Sequence, residues 1–451
     1  MGGEARLGEV AEIIMGQSPP GETYNEHGQG LPFFQGVTDF NYRYPTPRVF
    51  CSAPSRIAVP GDILLSVRAP IGRVNVADRK CAIGRGLSII RPRTPEDARY
   101  LEFTLRMKEP NWDAIEGSGS VFGNATRRDL EELRLPWPEG ANDRCAIAHI
   151  LGTLDDKIEL NRQMNKTLEE MARAIFKSWF VDFDPVHAKA AVRREHPAWS
   201  NAQVSRAALP NLKPEIAELF PDSFEPACRG GHDAGRDSDL GKIPKGWKVG
   251  CISDLAEVVG GSTPSTKDSA FWEDGIHCWA TPKDLSSLTT PVLLNTERSI
   301  TDAGLAQISS GLLPVGTVLL SSRAPIGYLA IAEIPVAINQ GFIAMKPRNG
   351  VSNLFLLLWA HFSHEDIISR ANGSTFLEIS KTNFRPITLA VPEREYFEVF
   401  DTCVRPFYKK IVSNERETLS LVKLRDALLP KLISGELRIK EAEKLLKEKG
   451  L

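Results

Sequence analysis

Two arginines, Arg68 and Arg323, occur in nearly identical heptapeptides of this 451-residue chain. The first heptapeptide reads SVRAPIG over residues 66–72, and the second reads SSRAPIG over residues 321–327. A guanidinium group is planar, permanently charged and carries five N–H donors, so it suits phosphate oxygens and the edges of bases. Each arginine is therefore a candidate to contact a phosphate group. In the alternative interpretation, each arginine pairs with a carboxylate of its own domain and shapes the loop.

Further candidates for nucleic-acid contacts surround these arginines. Seven basic residues and one acidic residue lie between residues 68 and 93, although residues 1–138 hold 17 of each sign. Such a strip is typical of a phosphate-contacting face, and equally of a solvated strand surface. Side chains that differ between the two copies are candidates for base contacts, above all in segments 119–128 and 373–383. The candidate DNA-binding residues are Gln17, Arg68, Arg73, Arg79, Lys80, Ser120, Arg127 and Arg128 in the first half, and Ser262, Lys283, Arg323, Lys381 and Asn383 in the second.

The two heptapeptides belong to a duplicated domain. The matched blocks are 7–21 with 252–266, 60–93 with 315–348, and 119–138 with 373–392. The offset between the copies drifts between 245 and 255 residues, so insertions in loops separate the blocks. Each copy contains short runs of β-branched residues punctuated by Gly and Pro, together with helix-like stretches. The sequence therefore predicts two related α/β domains.

A heptad pattern of apolar residues follows each copy. The predicted seam residues are Leu151, Leu154, Ile158, Asn161, Leu168 and Ile175 in the first pattern, and Phe407, Ile411, Asn414, Leu421, Leu428 and Leu432 in the second. One heptad pattern would also fit an amphipathic helix of a bundle. Two patterns with aligned asparagines, Asn161 and Asn414, favour a mutual coiled coil, because a seam asparagine lowers stability but determines register.

These features predict a mixed α+β fold with an internal pseudo-two-fold repeat. Two α/β domains are joined by two long antiparallel coiled-coil helices, which carry the domains at opposite ends. The predicted segments are a first domain at 1–138, a first helix at 139–183, a linker at 184–245, a second domain at 246–392, a second helix at 393–440 and a tail at 441–451. The linker is predicted from its Gly, Asp and Arg content and contains at most short helices.

The composition and the motif search argue against several classes of protein. Seven cysteines without a CxxC pair predict reduced thiols, no metal site and a cytoplasmic location. The N-terminus has no apolar core of a signal peptide, and the longest apolar stretch, 354–362, is shorter than the ~20 residues of a membrane span. A P-loop, a GxSxG elbow and an HExxH motif are all missing from the sequence. The chain is therefore not expected to be an enzyme.

The motifs together resemble the specificity (S) subunits of type I restriction-modification systems. The matching stretches are LGEVAEIIMGQSPP, FFQGVTDF, GDILLSVRAPIG, RRDLEELRLPWP and FKSWFVDFDPV in the first half, and GKIPKGWKVG, DLAEVVGGSTPS, WATPKDL, LLSSRAPIG and LVKLRDALLPKLISGELRI in the second. The resemblance covers nearly the whole chain. One departure is the short N-terminus, MGGEAR, in which the counterpart of Trp247 is missing.

This resemblance implies a function and a set of partners. Two target-recognition domains would each read half of an asymmetric bipartite DNA site, and the helices would set the spacer and dock two methyltransferase (M) subunits. Restriction and translocase (R) subunits would join the complex. Adenine methylation and ATP-dependent cleavage, with S-adenosylmethionine, ATP and Mg, would belong to these partners, and this chain would need no cofactor. Two alternatives remain open, a stand-alone DNA-binding or inhibitory module and a protein scaffold that does not bind DNA.

Overall fold

The computed structural model describes residues 3–109, 124–228, 237–373 and 377–448. The chain divides into two compact units. Unit 1 comprises Met1–Arg162 and Glu417–Leu451, and unit 2 comprises Gln163–Arg416. Among the described residues, no helix combines the length and the apolar character needed to cross a bilayer.

In its described residues, the first repeat is built from short strands and three α-helices. Its strands are β1 (Glu4–Arg6), β2 (Ala11–Met15), β3 (Tyr24–Asn25), β4 (Leu31–Phe34), β5 (Val49–Cys51), β6 (Ile57–Ala58), β7 (Ile63–Ser66), β8 (Val74–Val76), β9 (Cys81–Ile83), β10 (Leu87–Pro92) and β11 (Arg134–Pro136). Its helices are α1 (Leu7–Val10), α2 (Ala98–Lys108) and α3 (Arg127–Glu131). The 40-residue helix α4 (Ala141–Phe180) follows.

Unit 2 contains the second repeat and the segment that precedes it. The strands are β12 (Phe224–Cys228), β13 (Asp237–Pro244), β14 (Lys248–Cys251), β15 (Ala256–Gly260), β16 (His277–Ala280), β17 (Val292–Leu293), β18 (Arg298–Ile300), β19 (Val318–Ser321), β20 (Leu329–Ala332), β21 (Ala337–Ile338), β22 (Phe342–Pro347) and β23 (Thr388–Val391). The helices are α5 (Asp184–Glu195), α6 (Asn201–Ala208), α7 (Pro214–Leu219), α8 (Ile252–Leu255), α9 (Pro282–Ser286), α10 (Asp302–Ala306), α11 (Asn353–Phe362), α12 (His364–Ser369) and α13 (Lys381–Phe384). The 41-residue helix α14 (Arg394–Ser434) and α15 (Ile439–Glu448) end the described chain.

The two repeats share the order of their central strands and differ at the sheet edges. In the first repeat a sheet of order β2-β10-β7-β8 accompanies a sheet of order β3-β5-β4-β9-β6. In the second repeat the corresponding orders are β15-β22-β19-β20-β17 and β18-β16-β21. The pairs β4–β9 and β16–β21 are parallel at equivalent places, whereas β10 and β22 pair antiparallel with both of their neighbours. The structure thus confirms the predicted mixed α/β fold and its internal repeat.

The apolar run ILLS of β7 is buried on both faces. Ile63 and Leu65 pack in a core that includes Leu101 of α2, whereas Leu64 packs in a second core with Phe34 of the neighbouring sheet. Successive side chains of a strand point to opposite faces, so a strand covered on both sides reads as a continuous apolar run. The matching run VLLS of β19 is fully buried in the same way.

The long helices pack against each other within each unit. In unit 1, a core contains seam residues of α4 and α14, and α15 adds Ala442 and Leu446; the seam members are Leu151, Leu154, Ile158, Leu421, Leu428 and Leu432. In unit 2, Ile411 is buried, while Leu168 and Ile175 are partly buried against the same core. The prediction that Phe407 is a seam residue is wrong. Phe407 is only partly buried, and the neighbouring Tyr408 is buried in the core instead.

The predicted polar interruptions lie buried between the helices. In unit 1, Asn161 Nδ2 donates to Glu417 Oε2 at 2.8 Å and lies 3.4 Å from Thr418 Oγ1. In unit 2, Asn414 Nδ2 donates to Asn165 Oδ1 at 2.8 Å. Because a buried amide without a partner costs free energy, these contacts favour a single antiparallel register in each unit.

The segment predicted as a linker is more ordered than its composition indicates. Residues 184–228 form α5, α6, α7 and β12, and Val186 and Phe220 join the core of unit 2. Lys189 is fully buried, and its Nζ donates to Asn201 Oδ1 at 2.9 Å, to the Ala217 carbonyl at 3.0 Å and to the Phe220 carbonyl. A lysine whose three donors are satisfied can be buried, so a segment with few apolar residues still packs.

A buried carboxylate connects α4 to α14 and to the first repeat within unit 1. Asp155 is fully buried and accepts hydrogen bonds from Arg425 at 2.8 Å, from Arg106 at 2.9 Å and from the Tyr42 hydroxyl at 3.0 Å. Burial by itself would raise the pKa of Asp155, but the two guanidinium groups and the hydrogen bonds outweigh it and lower that pKa below its usual value.

We expect Asp155→Ala to lower the free energy of unfolding of unit 1 by about 3–5 kcal/mol, because two guanidinium groups lose a buried partner. The matched control is Asp156→Ala, since Asp156 is 61% exposed, and its effect should stay nearer ~1 kcal/mol. Because the folded-state pKa of Asp155 is depressed, its contribution is present above about pH 4 and is lost as the pH falls further. Denaturant titrations with hydrogen exchange of α2 would measure both effects. Equal losses in the two variants would contradict this assignment.

Candidate nucleic-acid interface

The first heptapeptide forms a loop that a buried serine closes. Ser66 Oγ donates to the Pro70 carbonyl at 2.7 Å and accepts from the Arg73 N–H at 2.9 Å. A main-chain hydrogen bond of 2.9 Å from the Gly72 N–H to the Ser66 carbonyl completes the closure. One side chain therefore determines the shape of the loop that presents Arg68.

Unit 2 forms the same loop from its own copy. Ser321 Oγ donates to the Pro325 carbonyl at 2.8 Å and accepts from the Tyr328 N–H at 2.8 Å. The Gly327 N–H donates to the Ser321 carbonyl at 3.1 Å. The Ala-Pro peptide bond is cis in both loops. The backbone arrangement is thus common to both copies, whereas the residue after the final glycine changes from arginine to Tyr328.

Main-chain hydrogen bonds bring three other segments next to the Arg68 loop. The Val67 N–H donates to the Gly86 carbonyl at 2.9 Å, and the Ala125 N–H donates to the Val67 carbonyl at 2.9 Å. The Gln17 N–H donates to the Ile83 carbonyl at 3.0 Å. We call the side chains at this meeting point rim 1. Its members are Gln17, Ser18, Arg68, Arg85 and Asn124.

The second repeat brings the equivalent segments together. The Ser322 N–H donates to the Gly341 carbonyl at 2.8 Å, and the Ile379 N–H donates to the Ser322 carbonyl at 3.0 Å. The Ser262 N–H donates to the Ile338 carbonyl at 3.1 Å. We call the corresponding side chains rim 2. Its members are Ser262, Thr263, Arg323, Gln340 and Glu378.

The two rims differ in charge. In rim 1, Arg68 and Arg85 are both exposed, and Arg68 forms no ion pair with any residue that the structure describes. In rim 2, the Arg323 guanidinium lies 3.7 Å from a carboxylate oxygen of Glu378, and both side chains are partly exposed. Arg323 therefore fits the interpretation in which the arginine pairs within its own domain, whereas Arg68 presents its charge to solvent.

Most other basic candidates of unit 1 lie outside rim 1 and pair with carboxylates. The pairs are Arg73 with Glu109 at 3.3 Å, Arg79 with Asp78 at 2.6 Å, Arg127 with Glu131 at 2.8 Å and Arg128 with Glu132 at 3.0 Å. Lys80 is exposed, and Ser120 lies outside the described residues. In the same strip, Arg91 donates two hydrogen bonds to the buried Asp62, at 2.8 and 2.7 Å. Three of the seven basic residues of the strip, Arg73, Arg79 and Arg91, thus have carboxylate partners among the described residues.

The remaining candidates of unit 2 have mixed environments. Lys283 pairs with Glu297 at 2.8 Å. Lys381 is exposed, and its side chain lies against Gly260. Asn383 donates from Nδ2 to the Arg370 carbonyl at 3.0 Å, so its amide is engaged inside the domain. Ser262 is the one of these four that belongs to rim 2.

Charge-based sequence reasoning missed several residues of the site. Ser66 and Ser321 repeat within the heptapeptides, and this repetition was the available signal for their role in the loop. Asn124 and Glu378 lie in the predicted segments 119–128 and 373–383, but only the folded chain shows that these two residues lie beside the arginines. Asp284 caps α9 by accepting a hydrogen bond from the Thr281 N–H at 2.7 Å.

The fold and the duplicated rims define a tandem-repeat protein with one candidate binding surface in each repeat. A family model described as the type I restriction modification DNA specificity domain matches residues 3–170 and 244–405. These two matches cover more than half of the chain, so the chain belongs to this family.

Individual relatives agree with the family assignment. The chain is 29% identical over 340 residues to the type I restriction enzyme HindI specificity subunit of Haemophilus influenzae, covering 71% of this chain and 73% of that protein. It is 23% identical over 450 residues to the MjaIX specificity subunit of Methanocaldococcus jannaschii, covering 97% and 93%. A type I restriction-modification S subunit from M. genitalium aligns over 95% of both chains with a TM-score of 0.57 and 15% identity. This last likeness shows a shared fold.

We expect Ser66→Ala and Ser321→Ala each to destabilise its own loop by about 1–2 kcal/mol, because each loop loses two partly buried hydrogen bonds, one to a carbonyl and one from an N–H. Ser322→Ala is the matched control, since this buried serine occupies the position of Val67 in the first repeat. Hydrogen exchange of residues 66–73 and 321–328 would measure the local opening. Unchanged protection in the two serine variants would show that the hydroxyls do not close the loops.

Proposed function

We propose that this chain reads DNA sequence for a type I restriction-modification complex. Each repeat would read one half of an asymmetric bipartite site. The observation that carries the proposal is the duplicated rim, in which one backbone arrangement presents two different sets of side chains. Phosphate contacts position a protein without carrying sequence information, whereas different side chains are needed to read different bases.

The partners follow from the same proposal. Two methyltransferase subunits would dock on the paired helices, and restriction and translocase subunits would complete the assembly in the cytoplasm. The chain itself would supply recognition, and catalysis with S-adenosylmethionine, ATP and Mg would belong to those partners. Mapping methylated adenines in cells with and without this chain would test the proposal directly. A methylated bipartite motif that persists without the chain would contradict it.

The different charge of the two rims gives a prediction for binding. Arg68→Ala should weaken binding of the complex to all DNA sequences and lower the salt slope by about 0.9, as expected for one lost phosphate contact. Arg323→Ala should have a smaller effect, because Glu378 already compensates part of its charge. Arg128→Ala is the matched control, since Arg128 pairs with Glu132 outside rim 1. Filter binding over a salt series measures the slopes, and an unchanged slope for Arg68→Ala would assign that arginine a structural role.

The paired helices are the proposed determinant of spacer length. Four extra residues beside Asn165 in α4, matched by four beside Asn414 in α14, add about one helical turn of roughly 5.4–6 Å. The preferred spacer should then lengthen by one or two base pairs of about 3.4 Å each, while both half-sites stay the same. Methylome sequencing provides the measurement.

Five-residue insertions at the same places are the control. They rotate the seam further, whereas four residues make a stutter that a coiled coil tolerates. We expect the five-residue variant to lose assembly with its partners. A four-residue variant that methylates the original spacer at full efficiency would show that the helices do not set the spacing.

A further inference from the structure

Unit 2 contains a pocket of about 250 Å³ between the second repeat and the parts of the long helices that belong to this unit. Its wall is mainly aliphatic. The apolar lining includes Leu285, Leu354, Leu357, Leu358, Val404 and Ile411. The polar part of the lining consists of Glu169, Arg173 and His361 and of the hydroxyl-bearing Thr289, Thr290, Tyr328 and Tyr408. An apolar pocket with a few convergent polar groups is the usual form of a small-molecule site.

The first repeat has different chemistry at the equivalent place. By the offset that aligns the helices, Asp155 corresponds to Tyr408 and Arg425 to Ala172. By the offset that aligns α2 with α11, Arg106 corresponds to His361. The carboxylate and the two guanidinium groups of unit 1 are therefore replaced by uncharged side chains and one histidine in unit 2.

Loss of side-chain volume also distinguishes the second repeat. The Val76 N–H donates to the Arg43 carbonyl, and the equivalent bond joins Ile331 to Pro291, so Tyr42 corresponds to Thr290. Replacement of a tyrosine and an arginine by threonine and alanine removes side chains that unit 1 uses to surround Asp155. The cleft of unit 1 is larger, about 780 Å³, but Arg73, Arg106 and Arg425 line it. Of the two equivalent places, only the one in unit 2 is thus lined mainly by aliphatic side chains.

The charged groups at the pocket compensate each other. Arg173 donates to Glu169 at 2.9 Å. Burial raises the pKa of Glu169 to about 7; the Arg173 guanidinium opposes this rise, and the nearby Glu415 and Glu170 carboxylates add to it. Burial likewise lowers the pKa of His361, so this imidazole is neutral at pH 7. An occupant therefore gains little from carrying a charge of either sign.

We infer that this pocket binds a small uncharged molecule that carries an aromatic ring or a branched aliphatic group. An apolar cavity of about 150 Å³ accepts benzene, so about 250 Å³ leaves room for a bicyclic ring such as indole. The polar groups at the wall can accept or donate one hydrogen bond from such a ligand. The inference goes beyond the proposed function. Two identical partner subunits that dock on the two repeats would need the same contact groups in both, and the lining of this pocket has no chemical match in unit 1.

Calorimetric titration of the full-length chain with indole tests the inference without DNA. We expect saturable binding at one site. Ala172→Leu should weaken it at least tenfold by filling the pocket, whereas Ala174→Leu adds the same side chain at an exposed position of α4 and should leave it unchanged. If Ala172→Leu fails to fold, Leu288→Trp narrows the pocket from the opposite wall and makes the same test.

Three results would overturn the inference. If indole does not bind the full-length chain, the pocket is not a site for ligands of this class. Equal binding by Ala172→Leu and the unmodified chain would place the ligand elsewhere. Loss of indole binding when the chain assembles with its methyltransferase partner would identify the pocket as a docking site for a protein side chain. Each of these results is independent of whether the chain reads a bipartite DNA site.

Discussion

Amide side chains buried between α4 and α14 constrain how the two longest helices pair. Asn161 contacts Glu417 and Thr418 in unit 1, and Asn165 contacts Asn414 in unit 2. A shift of one heptad would bury these amides against apolar side chains, at a cost of about 1–3 kcal/mol for each unsatisfied group. In unit 2 strand residues share one core with the long helices, and in unit 1 Tyr100 and Phe103 of α2 do so, which means that the helix register also positions the repeats.

The two repeats share a backbone scaffold but differ in the side chains at its surface. The serine that closes each loop, the antiparallel strand pairs and the parallel strand pair are the same in both copies. The rims, in contrast, differ in charge, and the cleft beside the helices is charged in one copy and aliphatic in the other. A duplicated backbone can therefore diverge in binding chemistry, because the hydrogen bonds that shape it do not involve the divergent side chains.

The architecture was largely predictable from the sequence, because a long heptad pattern and the offset between the repeats can be recognised without knowledge of the tertiary structure. The prediction failed at Phe407, where Tyr408 is buried instead. A tyrosine reads as a polar residue in a heptad pattern, but its hydroxyl donates to Glu333 at 3.0 Å and makes burial acceptable. The short helices predicted for the linker are present, but its packing on the core of unit 2 was not predicted, because carbonyls distant in sequence satisfy Lys189.

The candidate site was predictable only in part. Arg68 and Arg323 were found through repetition, but their different partners were not, because Asn124 and Glu378 reach them from other segments. Arg79, Arg127 and Arg128 were chosen for their charge, and each proves to be paired with a carboxylate near it in sequence. Sequence reasoning counts charges, whereas the availability of a charge depends on rotamers and neighbours in the folded domain.

The division of the chain into units affects the order of its synthesis. Unit 1 takes its helix pair from residues near both ends of the chain, whereas unit 2 is one continuous segment. A ribosome completes unit 2 before it makes the last part of unit 1, and Asp155 is translated 270 residues before Arg425. Until then the carboxylate lacks one of its two guanidinium partners. All of unit 2 is thus synthesised before the α14 residues that complete the helix pair of unit 1.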